Sequence, residues 1–138
     1  PQFETLDTEG PAIYRAESSA GDLLGYAVRV TTTGYGGEIR ILVGINPDLS
    51  TIGGLEVVQQ VETPGLGARI TEEDFRAQFE GLDPTETVSY IKNEEPDPEE
   101  NEIQAISGAT ISSEAVVDGV NSDVGRAIEI LREEAGQS

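Results

Sequence analysis

The sequence predicts an α+β fold: a mostly antiparallel sheet packed by a short helix and a long C-terminal helix. Three observations carry this. Polar and apolar residues alternate through Gly25–Thr33 and Glu38–Ile45, the period of two that a half-buried strand requires. Turn-forming residues bound these runs, GYGG at Gly34–Gly37 and then Asn46, Pro47 and Asp48, where glycine, proline and asparagine reverse a chain most easily. Toward the C-terminus the apolar spacing changes from two to the helical period.

In chain order, Tyr26, Val28, Val30 and Thr32 share one face of the first run, with Arg29 and Thr31 on the other. Ile39, Ile41, Val43 and Ile45 point inward from the second, and a third run spans Ile52 to Val61; the three read as an antiparallel meander. Thr71–Phe79 is expected to be a short helix, because Thr71 with Asp74 resembles a capping box and Phe75 and Phe79 stand four apart. Thr85–Ile91 and Glu102–Ile106 read as two further strands separated by the acidic segment Asn93–Asn101. Glu94, Glu95, Asp97, Glu99 and Glu100 in that segment raise the question of calcium, but they match no EF-hand spacing and lack its central glycine, so the segment reads as a solvated loop. From Ser113 to Glu134 the residues Val116, Val120, Val124, Ala127, Ile128 and Leu131 form one stripe with Asp118, Glu129 and Glu133 outside it, the pattern of a long amphipathic helix laid on the sheet.

At 138 residues the chain has the length of one domain, and residues 1–138 read as a single unit. Eight Lys and Arg stand against 27 Asp and Glu, for a net charge of -19. Such a surface argues against nucleic acid and anionic lipid as partners, since both are bound by displacing counterions with basic side chains; it reads as solubilising or salt-adapted. There is no Cys, His, Met or Trp, which removes thiolate zinc sites, iron–sulfur clusters, c-type haem attachment, Cys nucleophiles and Ser-His-Asp triads. Carboxylates, hydroxyls, the backbone or a borrowed organic cofactor are left for chemistry. No catalytic residue and no metal site is assigned. The most apolar stretch, Ile39–Ile45, is interrupted by Arg40 and Gly44 and is too short to span a bilayer. The sequence begins at Pro1, and we read it as a processed or trimmed piece of a longer chain.

Two segments stand out. SGATISS, Ser107–Ser113, joins a short strand to the long helix; a helix start exposes unpaired N–H groups and the positive end of the dipole, which can hold a phosphate without a basic side chain. Gly108 and Ala109 leave room for close approach, and Thr110 places a hydroxyl at the mouth. Ordinary capping by Thr110, Ser112 or Ser113 is the alternative. ETPGLGA, Glu62–Ala68, follows a strand and contains Pro64, Gly65 and Gly67 around an apolar Leu66, either a plain connection or a loop laid against a flat ligand.

With GYGG and the strand ending in VGIN, then ETPGLGA, then SGATISSEAVVDGVN at Ser107–Asn121, the chain resembles the FMN-binding domain shared by the G subunit of the Rnf electron-transport complex and the C subunit of the sodium-pumping NADH:quinone reductase. The likeness runs from about Ala12 to Leu131 and is nearer the Rnf G subunit. It implies an electron-transfer flavoprotein domain with FMN joined by a phosphoester to Thr110, attached by an ApbE-type flavin transferase from FAD. Ser107, Gly108 and Ala109 are expected around the phosphate, and Glu62, Thr63, Leu66 and Gly67 near the flavin ring. The resemblance further implies other membrane subunits of an ion-translocating ferredoxin/NAD oxidoreductase complex as partners, an N-terminal membrane anchor missing here, and a place on the extracytoplasmic, periplasmic face of the bacterial inner membrane. Other readings are an FMN-binding domain of a different membrane or secreted reductase, or a non-redox extracellular binding module whose carboxylates contact cations or a basic partner.

Overall fold

The computed structural model describes residues 2–6 and 9–136. Five strands, β1 Gln2–Leu6, β2 Ile13–Glu17, β3 Leu23–Thr33, β4 Glu38–Ile45 and β5 Ile52–Gln59, form one antiparallel meander in sequence order. The expected three-stranded core of this sheet is present. Val28 pairs with Val43, Val30 with Ile41 and Thr32 with Ile39, and Ile39, Ile41, Val43 and Ile45 are all buried. β1 and β2 extend the meander beyond what alternation foretells, because QFETL and IYRAE show no clean alternation and lie at a sheet margin, where only Ile13 is fully buried.

The short helix is shorter than expected. Only Glu73–Arg76 is α-helical (α1), between 3-10 turns at Gly67–Thr71 and Ala77–Phe79. The capping box does not form: Glu72 occupies the N-cap position without a side-chain bond, and the Thr71 hydroxyl donates to the Ala68 carbonyl. Phe75 and Phe79 do turn inward as expected and meet edge to face, with ring centroids 5.6 Å apart.

The next two strands are trimmed to β6 Ser89–Ile91 and β7 Glu102–Gln104, which pair in parallel as a separate two-stranded sheet. Asn101 holds the chain around them. Its Oδ1 accepts the Asp83 N–H at 2.9 Å and its amide donates to the Asp83 carbonyl at 2.8 Å.

The long helix starts at Thr110 rather than Ser113. It runs as α2 Thr110–Gly119, a π-helical turn Val120–Val124 and α3 Gly125–Gly136. All six residues of the predicted stripe are buried, and α2 and the π turn lie against β3. In that turn Asp123 Oδ2 accepts the Thr31 N–H at 3.0 Å, while Asn121 exchanges two bonds with the backbone of Val88. Two polar side chains only two residues apart thus reach different parts of the fold, at the kind of local widening that often marks a specialised stretch of helix. No helix among the described residues is long and apolar enough to cross a membrane.

Candidate functional site

The early helix start decides the chemistry of the SGAT segment. Gly108 is in the left-handed region at φ 81°, so the chain turns there and enters α2 from Ala109, which is the N-cap and has no side-chain bond. Thr110 is therefore the first helical residue and not its cap. Ser113 takes the task of securing the helix start instead: its Oγ donates to the Ala109 carbonyl at 2.9 Å and accepts the Ile106 N–H at 3.0 Å. Ser112 is buried and donates its hydroxyl to Glu62. Of the three candidate caps, Thr110 alone keeps its hydroxyl out of any bond among the described residues.

Around Thr110 lies a cleft of about 400 Å3, within the size range of small-molecule sites. Its lining brings together Thr63, Leu66, Gly67, Gly108, Ala109 and Thr110 with Glu62. Ser107, the remaining predicted residue, is exposed and is not part of this lining. Tyr35, Ile111 and Ser112 complete the wall; none of these was expected there. Ile111 and Ser112 belong to the SGATISS segment and Tyr35 to the GYGG motif, so each could have been found from its motif, though only the fold brings Tyr35 to this cleft.

The glycine-rich loop packs close enough to need its small residues. A Cβ on Gly67 would collide with Ser112 Oγ and come within 2.8 Å of Glu62 Cβ, so the loop lies directly on the first turn of α2. Leu66 then projects from the loop, half exposed, toward Gly108. Tyr35 at 76% and Ile111 at 55% exposure are costly side chains to leave in water. All three border the same cleft, and a flat aromatic ligand laid there would cover them.

The electrostatics match. In a chain of charge -19, residues 34–37, 60–68 and 105–113 contain a single charged residue, Glu62. Its carboxylate is buried and turned to donors, with Oε1 accepting the Tyr35 N–H and Oε2 the Gly36 N–H, each at 2.8 Å. The first N–H groups of α2 have no intrahelical acceptor, and none of those of Thr110, Ile111 and Ser112 is bonded elsewhere among the described residues. An uncharged mouth, open helix N–H groups, a free hydroxyl and an apolar rim fit a ligand that joins a phosphate to an aromatic ring system.

A family model described as the FMN-binding domain matches residues 34–124. The G subunit of the ion-translocating oxidoreductase complex of Methanosarcina acetivorans is 43% identical over 123 residues, covering 88% of this chain and 62% of the relative. The G subunit of the Na(+)-translocating ferredoxin:NAD(+) oxidoreductase complex of Acetobacterium woodii is 40% identical over 107 residues, covering 77% and 50%. The chain thus spans about half to three-fifths of the length of these relatives. Among solved structures, Shewanella oneidensis NqrC superposes with a TM-score of 0.72 at 22% identity, over 80% of this chain and 54% of the other. The C subunit of the Na(+)-translocating NADH-quinone reductase of Parabacteroides distasonis gives 0.73 at 27% identity, over 85% and 61%. These two place the sheet and its helices in a known fold.

Proposed function

The chain belongs to the FMN-binding domain family, and on that premise we propose that residues 1–138 are a single electron-carrying flavoprotein domain with FMN held by a phosphoester to Thr110. The observation that carries this reading is the state of Thr110: first residue of α2, free of any capping bond, on the wall of the cleft and among loops whose one charged residue, Glu62, is buried.

Bound FMN would supply reversible one- and two-electron chemistry. The rest is done by the chain. Thr110 would supply its Oγ1 to phosphorus, with the pyrophosphate bond of FAD broken, AMP as the leaving group and the hydroxyl proton taken up by the attaching enzyme, a flavin transferase of the ApbE type. Gly108, Ala109 and the open N–H groups of α2 receive the phosphate, with Ser107 beside them. Tyr35, Leu66 and Ile111 would shield the ring, while Thr63 and Gly67 would shape the loop against it. A covalent link suits so acidic a chain, since the field of -19 charges opposes retention of a free anionic cofactor.

The similarity to these G subunits supports assignment to an Rnf-type ion-translocating complex with other subunits as partners; a place on the periplasmic side of the inner membrane and an anchor outside this chain are further parts of the proposal. The test is the intact mass of the chain after co-expression with a flavin transferase. We expect a gain of FMN less one water, mapped by fragmentation to Thr110 and absent from Thr110→Val, whose unloaded fold should be unchanged within about 1 kcal/mol. An unmodified wild-type chain, with the transferase active on a proven substrate, would refute the reading.

A further inference from the structure

Glu62 is the one acidic or basic residue among the buried polar side chains of the described residues. No ion pair answers its charge among those residues. Three donors do: the N–H groups of Tyr35 and Gly36 and the hydroxyl of Ser112, drawn from segments 27, 26 and 50 residues away in the chain. Its own N–H is held by Gln60 Oε1 at 2.7 Å. The turn that carries Tyr35 is built onto this carboxylate, because a Cβ on Gly34 would stand 2.5 Å from Oε1 and 2.6 Å from Ile39 Cδ1. One side chain therefore joins the three walls of the cleft: the Tyr35 turn, the Leu66 loop and the first turn of α2.

We infer that Glu62 is a positioning residue for flavin attachment, tying the Tyr35 turn and the Leu66 loop to Ser112 so that Thr110 Oγ1 is preset in the cleft before flavin arrives. This rests on the carrier reading above and gives Glu62 a task other than touching the ring. Both its oxygens are engaged within the protein. The task requires a carboxylate. Glutamine keeps one acceptor oxygen, so its amide group would face a backbone N–H, donor against donor. Ser112 sits two residues beyond Thr110 on the same helical turn, and fixing it fixes the direction in which Thr110 enters the cleft.

The experiment is the kinetics of flavin transfer from FAD to the unloaded chain by a purified flavin transferase, for wild type, Glu62→Gln and Ser112→Ala. Melting curves confirm folding, and amide hydrogen exchange is followed at Tyr35 and Gly36. Glu62→Gln should lower kcat about ten- to a hundredfold, the scale of a misplacement of ~1 Å. KM for the chain should stay within about threefold, because a buried carboxylate does not touch the transferase. Ser112→Ala should show the same split with a smaller fall, and exchange at Tyr35 and Gly36 should quicken about tenfold in Glu62→Gln. A folded Glu62→Gln with wild-type kcat overturns the inference. If that variant does not fold, Ser112→Ala decides: a lowered kcat at constant KM supports the role and a wild-type kcat overturns it. A wild-type chain that takes no flavin from an active transferase overturns the carrier reading itself, and this role with it.

Discussion

Two loops flank β7, and they use their polar groups in opposite ways. The loop before it, residues 92–101, carries five carboxylates and turns onto itself: Asp97 accepts the Glu99 N–H at 3.0 Å, and Glu102 Oε1 accepts the Asp97 N–H at 3.1 Å. Buried Asn101, at φ 58°, fastens the loop to Asp83. The segment after β7, residues 105–113, a loop and the first turn of α2, has no charge at all. It leaves the Thr110 hydroxyl and three helix N–H groups without a protein partner among the described residues. The first loop satisfies its own backbone with its own side chains, which is what a connection needs. In the second, unpaired donors and an exposed apolar rim stand where the chain has withheld its acidity. In a very acidic protein, a site for an anion is thus marked by where the carboxylates are missing.

The contrast should collapse most severely if charge enters the neutral loop. Ile111→Glu puts a carboxylate next to Thr110 on the cleft wall, where it would repel an incoming phosphate. Flavin labelling by the transferase should slow about tenfold, and a high-salt buffer should restore part of the rate. A rate equal to wild type would mean that the lack of charge there has no function.

The acidic loop should yield to loss of its fastening rather than of its charge. Asn101→Ala strands the Asp83 N–H and carbonyl and places alanine at a left-handed position, so a loss of about 2 kcal/mol in urea unfolding is expected. Changing Glu94, Glu95 and Glu100 together to Gln should alter stability by less than about 0.5 kcal/mol and labelling by less than about twofold. A larger change in labelling would show that the two loops are not independent.

The smallest effect concerns a bond that joins the two sides, from the Tyr90 hydroxyl on β6 to Glu114 Oε2 on α2, at 2.5 Å. Accepting that bond, the Glu114 carboxylate pushes the Tyr90 phenol above its ordinary pKa, with lesser contributions from desolvation and from Asp118. A raised folded-state pKa means the stabilisation is fully present below the unfolded value near 10 and is lost as pH rises through the folded one. Tyr90→Phe should therefore leave a shallower decline of Tm with pH above about 10, and little change at neutral pH.

Residue order alone was enough wherever a few neighbouring residues decide the outcome. Alternation in β3 and β4 names the inward side chains because strand geometry repeats every two residues. The stripe from Val116 to Leu131 names the buried face of the long helix, and the ordered motifs single out Thr110 and the loop around Leu66, which line one cleft. β1 and β2 escaped, and β6 and β7 were found but drawn too long, since such short or mixed-polarity strands owe their bounds to paired neighbours and not to their own pattern. Where the helix begins was also beyond local reading: Thr110, Ser112 and Ser113 are all good caps by type, and only the fold started the helix at Thr110, bonded Ser113 to Ile106 and Ala109, tied Ser112 to Glu62 and left the Thr110 hydroxyl free of a bond among the described residues. The same holds for the contact of Glu62 with Tyr35, Gly36 and Ser112. Its partners lie up to 50 residues from it in the chain, and a hydrogen bond of that separation is settled by how the meander, the glycine loop and the helix pack together.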